Sequence, residues 1–416
     1  MFEEISKLLL EEIDKCVSCG LCEAVCPTLP HMNFKSTYGP RGRVILAKEL
    51  MKTNQSSMGK IKIDLSDYFY SCLRCRACYN ACAAEVDVGL VSLYSRILIR
   101  TGNFKNLTVK KIEKPLAKMF AKIISNNRTP LASIKIFSKW SEGLEFDEDS
   151  DTLLYTGGLY QLVPYMFSLK KLINSSLGKL LTKLVPRIMS PFPDLITITS
   201  FIKEKELEIR VEKILRSIYE LLKTAGVRFR YIPDEPYNGV LLYELGYIEE
   251  FIKYGKFLKE FFDKNKISTI ITIDPHTYEA LKHLYPKYVK EFNYKVYHYL
   301  ELIRNLEHIK RNVKYTLHEP CIFAMHLKYY LPIHILSSIG DLVLPQRSKE
   351  KSFCCGGPAE LLYPELTDRI SEHRFRQLKD TGAEKIVTAC PICLLNLAKD
   401  ATVFDLAEIL IEHIKK

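Results

Sequence analysis

The chain has 416 residues, 47% of them hydrophobic, enough for two or three domains with cores of their own. Its 60 basic and 49 acidic residues leave a formal net charge of +11 spread along the sequence. With no readout motif, nucleic acid is not an expected partner, and the excess suits an acidic partner protein or an anionic membrane surface. No stretch reaches the ~18 uninterrupted apolar residues of a membrane span; thirteen cysteines in so long a chain, behind a start (Met1-Phe2-Glu3-Glu4) unlike a signal peptide, exclude a small secreted disulfide scaffold and point to a reducing, cytoplasmic setting.

Residues 1–104 hold two near-identical runs, Cys16-x2-Cys19-x2-Cys22-x3-Cys26 and Cys72-x2-Cys75-x2-Cys78-x3-Cys82. This spacing is that of ferredoxins with two 4Fe–4S clusters, in which three thiolates of one run and the fourth of the other hold each cluster. Carried over, Cys16, Cys19 and Cys22 act with Cys82, and Cys72, Cys75 and Cys78 with Cys26. Structural zinc, which uses four cysteines in two CxxC pairs, fits such runs poorly. Between the runs, Arg43 to Met51 reads as helix, and Leu90 to Ile99 reads as another behind the second run. The unit is therefore expected to be a helical ferredoxin domain. Pro27 follows the first run, while Ala83 stands where a second proline would be, which leaves ligation untouched.

Residues 105–150 read as a helical linker. Leu116, Met119, Phe120, Ile123 and Ile124 recur at helical spacing opposite Lys114, Lys118 and Lys122, which suits either a helix docked on the core or one lying on a membrane surface. An acidic run, Glu145 to Asp151, marks a boundary. Beyond it strands and helices alternate, so parallel sheets with covering helices are expected. Strands are predicted at Leu153–Tyr155, Thr269–Ile273, Lys314–Leu317 and Lys385–Thr388. Helices are predicted through Val211, Ile214, Leu215, Ile218 and Leu222, over Thr367–Leu378, and over Phe404–Ile414.

This half of the chain repeats itself. Tyr237-Asn238-Gly239 aligns with Cys354-Cys355-Gly356, Ile271 to Thr277 with Val387 to Cys393, and Tyr155-Thr156-Gly157-Gly158 with His318-Glu319-Pro320-Cys321. Only the second copy keeps sulfur: Cys321, Cys354, Cys355, Cys390 and Cys393. Each is expected at or beside the carboxyl end of a strand, where doubly wound sheets gather ligands. Five thiolates exceed the needs of one zinc or one cubane; an unusual iron–sulfur cluster fits best, with zinc as the alternative. His318 is placed to tune that site through a ligand. His276 is expected to be a surface histidine, with weak ligation as its other reading. No phosphate loop, dinucleotide fingerprint or hydrolase triad is present, so any flavin belongs to another chain. An apolar, basic insertion at about 162–201, with Leu177 to Met189 its core, reads either as a packed helical hairpin or as a docking segment for a membrane or partner.

The pattern Cys321…Cys354-Cys355-Gly356…Cys390-x2-Cys393 resembles the cysteine-rich CCG domain. Behind a two-cluster ferredoxin domain, it makes the chain similar to a group of iron–sulfur oxidoreductases. That group contains the iron–sulfur subunit of glycolate oxidase, the corresponding subunits of anaerobic glycerol-3-phosphate dehydrogenase and heterodisulfide reductase, and lactate-utilisation proteins. Gly39-Pro40-Arg41-Gly42-Arg43 also resembles a segment these proteins share. The resemblance implies an α+β multidomain chain: the ferredoxin unit, a degenerate CCG-type repeat over 151–312, and an intact one over 313–416. In the first repeat Gly158, Tyr237, Asn238, Asp274 and Thr277 replace the ligands, so no cluster is expected there. It further implies an electron-transfer subunit, partnered by an FAD-bearing dehydrogenase acting on a 2-hydroxy acid or glycerol 3-phosphate, that passes electrons toward quinone at the inner face of the membrane. Two alternatives stand beside it: a heterodisulfide-reductase-like subunit with Cys355 as the reactive thiol, and a zinc-stabilised scaffold with a ferredoxin arm.

Overall fold

The computed structural model describes residues 1–52, 65–104, 107–108, 114–126, 129–130, 137–175, 203–303 and 309–414. The N-terminal part is helical: Phe2–Asp14, Pro40–Lys52, Ser66–Tyr70, Ala77–Asn80 and Val88–Thr101, followed by a minimal antiparallel pairing of Asn103–Phe104 with Leu107–Thr108. Phe2–Asp14 buries Ile5, Leu9 and Ile13, a stripe four residues apart. It packs along Val88–Thr101, a helix capped by the Asp87 carboxylate at one end and by Gly102 in the left-handed region at the other.

Two parallel sheets follow. The first has the order β1 (Thr152–Tyr155), β2 (Thr269–Thr272), β3 (Lys295–His298). The second comprises β4 (Lys314–His318), β5 (Asp341–Leu342), β6 (Lys385–Thr388) and β7 (Val403–Asp405), in the order β5-β4-β6-β7. The four strands predicted from sequence are present. β3, β5 and β7 were not anticipated. Tyr155 pairs with Thr272 in one sheet, and His318 with Thr388 in the other, the same residues that the internal repeat places opposite one another.

The helix Lys205–Thr224 buries Val211, Ile214, Leu215, Ile218 and Leu222 and ties the sheets together. Its Arg210 forms a forked pair with Glu408 at 2.8 and 2.7 Å, and Tyr160 donates to Asp405 at 2.7 Å. One expectation needs correction, and one pair of readings is decided. Phe404 lies in a strand, and the final helix runs Leu406–His413 behind a capping box of Asp405 and Glu408. The segment around Leu116 forms a helix, Pro115–Ser125, whose Met119, Phe120, Ile123 and Ile124 are buried in the core, so it is not a membrane-surface helix. The Leu177 to Met189 segment lies outside the described residues. Among the described residues no helix is long and apolar enough to cross a membrane.

The ferredoxin-like part is bolted to the sheets by buried arginines. Arg96 donates to the carbonyls of Phe69, Cys72 and Glu244; Arg100 donates to Gly246 O, and Arg74 pairs with Glu244 at 2.8 Å.

Candidate metal centres

The two cysteine runs fold so that their sulfurs cross over. A cavity of about 240 Å³ is lined by Cys16, Cys19, Cys22 and Cys82, with Arg41 and Val44 beside them. A second, narrower cavity is lined by Cys26, Cys72, Cys75 and Cys78. Each site thus gathers three thiols from one run and the fourth from the other. Ser18, Gly20, Arg74 and Arg76, between successive cysteines, adopt positive φ, a turn that brings neighbouring sulfurs to one side.

The Gly39–Arg43 segment positions both runs. Pro40 opens the helix, and a Cβ on Gly42 would fall 1.9 Å from Ser36 O, so only glycine fits. Arg41 pairs with Glu23 at 3.0 Å beside the first cavity. Arg43, fully buried, donates to Tyr68 O (2.7 Å) and Ser71 Oγ (3.2 Å) beside the second. Burial pushes the Cys22 thiol up to about 11 and raises Cys26 and Cys78 too, so these sulfurs keep their protons unless a metal takes the proton's place. Four soft sulfurs facing one cavity fit an iron–sulfur cluster.

The third set is assembled by the second sheet. Cys321 follows β4, Cys390 follows β6 at the N-cap position of the helix Pro391–Leu397, and Cys393 lies one turn further on. Cys354 and Cys355 occupy a loop made possible by Gly356, at φ +90°, and Gly357, where a Cβ would strike Ile392 at 2.3 Å. All five thiols are buried. Cys355 Sγ lies 3.4 Å from Cys393 Sγ, and Cys354 Sγ accepts from the Gly356 amide at 3.4 Å. The hydrogen bonds from Cys354 and Cys393, helped by His318, overcome burial and hold Cys355 well below the ordinary thiol range. Burial alone would raise Cys390, yet Cys393 and His276 outweigh it and hold that thiol at about 6. Thiols poised as thiolates are metal ligands or nucleophiles.

Two histidines close the set. His318 stands with Cys355 and Cys393, its ligand atom within 4.8 Å of theirs, and its Nδ1 accepts from the fully buried Arg374 at 3.1 Å. His276, half-buried on the helix Pro275–Glu279 of the first sheet, lies next to Cys390. At the aligned positions of the first sheet there are no thiols. Asn238 Nδ2 donates to Thr277 Oγ1 (2.7 Å), Asp274 accepts from the His276 and Thr277 amides (2.9 and 3.0 Å), and a Cβ on Gly157 would lie 2.5 Å from Thr277 Oγ1. That corner is filled by its own hydrogen bonds.

The comparisons agree with this division of the sulfurs. The 4Fe-4S dicluster domain family matches residues 12–86, and the cysteine-rich domain family matches residues 315–398. The chain thus joins a 4Fe-4S dicluster domain to a cysteine-rich CCG domain, and it is similar to iron–sulfur oxidoreductases. It is similar to the EtfAB:quinone oxidoreductase of Syntrophomonas wolfei, 32% identical over 48% of this chain and 32% of the relative. It is also similar to a subunit of the dihydromethanophenazine:CoB–CoM heterodisulfide reductase of Methanosarcina barkeri, 22% identical over 99% of this chain and 96% of that one. A third relative, the "Probable glycolate oxidase iron-sulfur subunit" of Bacillus subtilis, is 22% identical over 93% and 88%. The chain covers about a third of the length of the Syntrophomonas relative.

Proposed function

We propose that this chain is the electron-transfer subunit of a flavin-dependent dehydrogenase, taking electrons from an FAD-bearing partner that oxidises a 2-hydroxy acid or glycerol 3-phosphate and delivering them toward quinone. Cys16, Cys19, Cys22 and Cys82 would hold one 4Fe–4S cluster; Cys26, Cys72, Cys75 and Cys78 a second; Cys321, Cys354, Cys355, Cys390 and Cys393 a third iron–sulfur centre. Held there, such centres supply one-electron redox chemistry. The observation that carries the reading is the continuity of the sulfurs: Cys75, of the second set, packs in one buried cluster with Cys354 and Cys321, of the third. The first set opens outward, with Cys19 exposed, whereas the third is enclosed.

The protein's own part is to bind, orient and keep water out. Residues 151–312 and 313–416 act in this reading as two copies of one unit, supported by the matching strand register and by Asp274 and Cys390 each standing at the N-cap position of the helix after its strand. The first copy serves as a wall. A quinone acceptor, named in the Syntrophomonas relative, would set the working complex at the inner face of a membrane.

The heterodisulfide-reductase-like reading draws on the depressed Cys355 thiol and on the full-length match to the Methanosarcina protein. Cys355 is only 2% exposed, however, and among the described residues no second thiol set faces it across the first sheet. Affinity purification from the native cell under anaerobic conditions tests the proposal. A co-purifying flavoprotein whose substrate reduces this chain's visible absorbance supports it. Recovery without flavoprotein, together with disulfide reduction lost in Cys355→Ala, would replace it by the second reading.

A further inference from the structure

The helix Pro275–Glu279 belongs to the first sheet, which carries no thiols, yet it brings His276 to the third set. The sequence repeat places Asp274 opposite Cys390, Thr277 opposite Cys393 and therefore His276 opposite Ile392. In the fold these two residues line the same apolar cavity, along with Gly357, Pro358, Leu159 and Leu162, so the corresponding helix starts of the two units face each other across it. From that position the His276 side chain lies next to Cys390, two residues before Ile392. The arrangement is held firmly. The Asp274 carboxylate accepts from the His276 and Thr277 amides, and Asn238 Nδ2 donates to Thr277 Oγ1, so the turn bearing the ring has little freedom.

We propose that His276 is a positioning residue for the third centre: by donating to the Cys390 sulfur from the opposite unit, it raises that centre's reduction potential. This rests on the reading that Cys321, Cys354, Cys355, Cys390 and Cys393 hold an iron–sulfur centre. The physical reason is general. A hydrogen bond to a ligand sulfur draws electron density from the metal and favours the reduced, more negative state. Cys355 has a comparable partner in His318, fixed by Arg374 from within its own unit. His276 is the matching partner for Cys390, supplied across the cavity. The first unit thus keeps a role in the centre after losing its own cysteines.

The test is a dithionite titration of the anaerobically purified full chain, followed by electron paramagnetic resonance, in the wild type, His276→Ala and His276→Gln. In His276→Ala the iron content and the potentials of the two ferredoxin-type centres stay put. The third centre becomes harder to reduce by about tenfold in its equilibrium, which is about 59 mV for one electron. Gln, which keeps an N–H donor, recovers part of that shift. An unmoved third potential in His276→Ala overturns the assignment. So does an equal shift in both variants, which marks packing alone, and so does selective loss of third-site iron, which makes His276 a ligand. A wild type showing only two ferredoxin-type signals overturns the underlying reading along with it, and does so before any variant is compared.

Discussion

Cys75 and Cys354 pack in one buried cluster, although one belongs to the second cysteine run and the other to the pair near the chain's far end. The approach is locked from several sides. Asn80 donates to Glu350 O at 3.0 Å, Arg347 to Val25 O at 2.9 Å, and His326 bridges Arg74 O and Glu279 at 2.9 and 2.7 Å. Thiol sets held this close predict mutual influence. Replacing Cys354 by Ala should remove the third centre, about four irons if it is a four-iron cluster. It should also change the line shape of the Cys26, Cys72, Cys75, Cys78 centre and leave that of the Cys16, Cys19, Cys22, Cys82 centre alone. Iron analysis and paramagnetic resonance of the reduced protein check this; an unaltered second signal would mean that the contact is not made in the loaded protein.

Gly42 is the point at which the shared segment between the runs tolerates no side chain. The nearest atoms to an added Cβ, Ser36 O at 1.9 Å and Ser36 C at 2.5 Å, are backbone and cannot swing away. Gly42→Ala should cost about 1–3 kcal/mol through overpacking. Because Arg41 and Arg43 flank it, both ferredoxin-type sites should lose iron together. Melting temperature and iron content report the two effects, and a fully loaded, equally stable variant would refute the account of this segment.

The Glu279–His326 pair gives the contact between the N-terminal part and the sheets a pH dependence. Burial alone would raise the Glu279 carboxyl, but His326 and Arg74 outweigh it and hold the group at about 2. For His326, burial pulls down and Glu279 more than compensates, so the imidazolium is favoured. The carboxylate's contribution is present above its ordinary value of 4.5 and lost as pH falls toward 2. That of the imidazolium is full below 6.5 and lost as pH rises through its raised value. Glu279→Gln should therefore lower the melting temperature most between pH 4.5 and 6.5, with the deficit shrinking on either side. A deficit that does not vary with pH would contradict this.

The ferredoxin-type sites were legible because their ligands are local: closely spaced sulfurs leave few folds open, and the crossing of the fourth cysteine comes with the spacing. The strands over Leu153–Tyr155 and Lys385–Thr388 were equally clear as short apolar runs. The misses were of another kind. β3, Lys295–His298, alternates exposed and buried residues in a four-residue piece that leads straight into Tyr299–Ile303, with no turn signal between them. Phe404 was drawn into a helix by its apolar neighbours, though Asp405 and Glu408, three apart, carry the capping signature that starts the helix one residue later. His276 stood out by its place in the copy without cysteines, but its neighbour in the fold was not legible. It stands opposite an isoleucine, and its partner Cys390 reaches it only through the packing of one sheet's helix against the other's.

Arg374 is the fixed point behind His318. Fully buried, it donates to His318 Nδ1 (3.1 Å), Arg347 O (2.9 Å) and Gln377 Oε1 (3.0 Å). Arg374→Ala leaves the buried His318 Nδ1 unpaired out of reach of water and should cost about 1–3 kcal/mol. Lysine, which cannot reproduce the planar fork, should rescue little of it. Thermal unfolding of the metal-loaded chain decides, and a variant within experimental error of the wild type would remove Arg374 from the site's support.

The measurement that bears most directly on the whole account is iron and zinc analysis of the anaerobically purified chain, alongside the paramagnetic spectrum after dithionite. Three thiol sets holding iron–sulfur centres predict about twelve irons per chain, no zinc, and signals from more than two centres. About eight irons with one zinc would turn the third set into a structural zinc site, and colourless, silent protein would contradict the account outright.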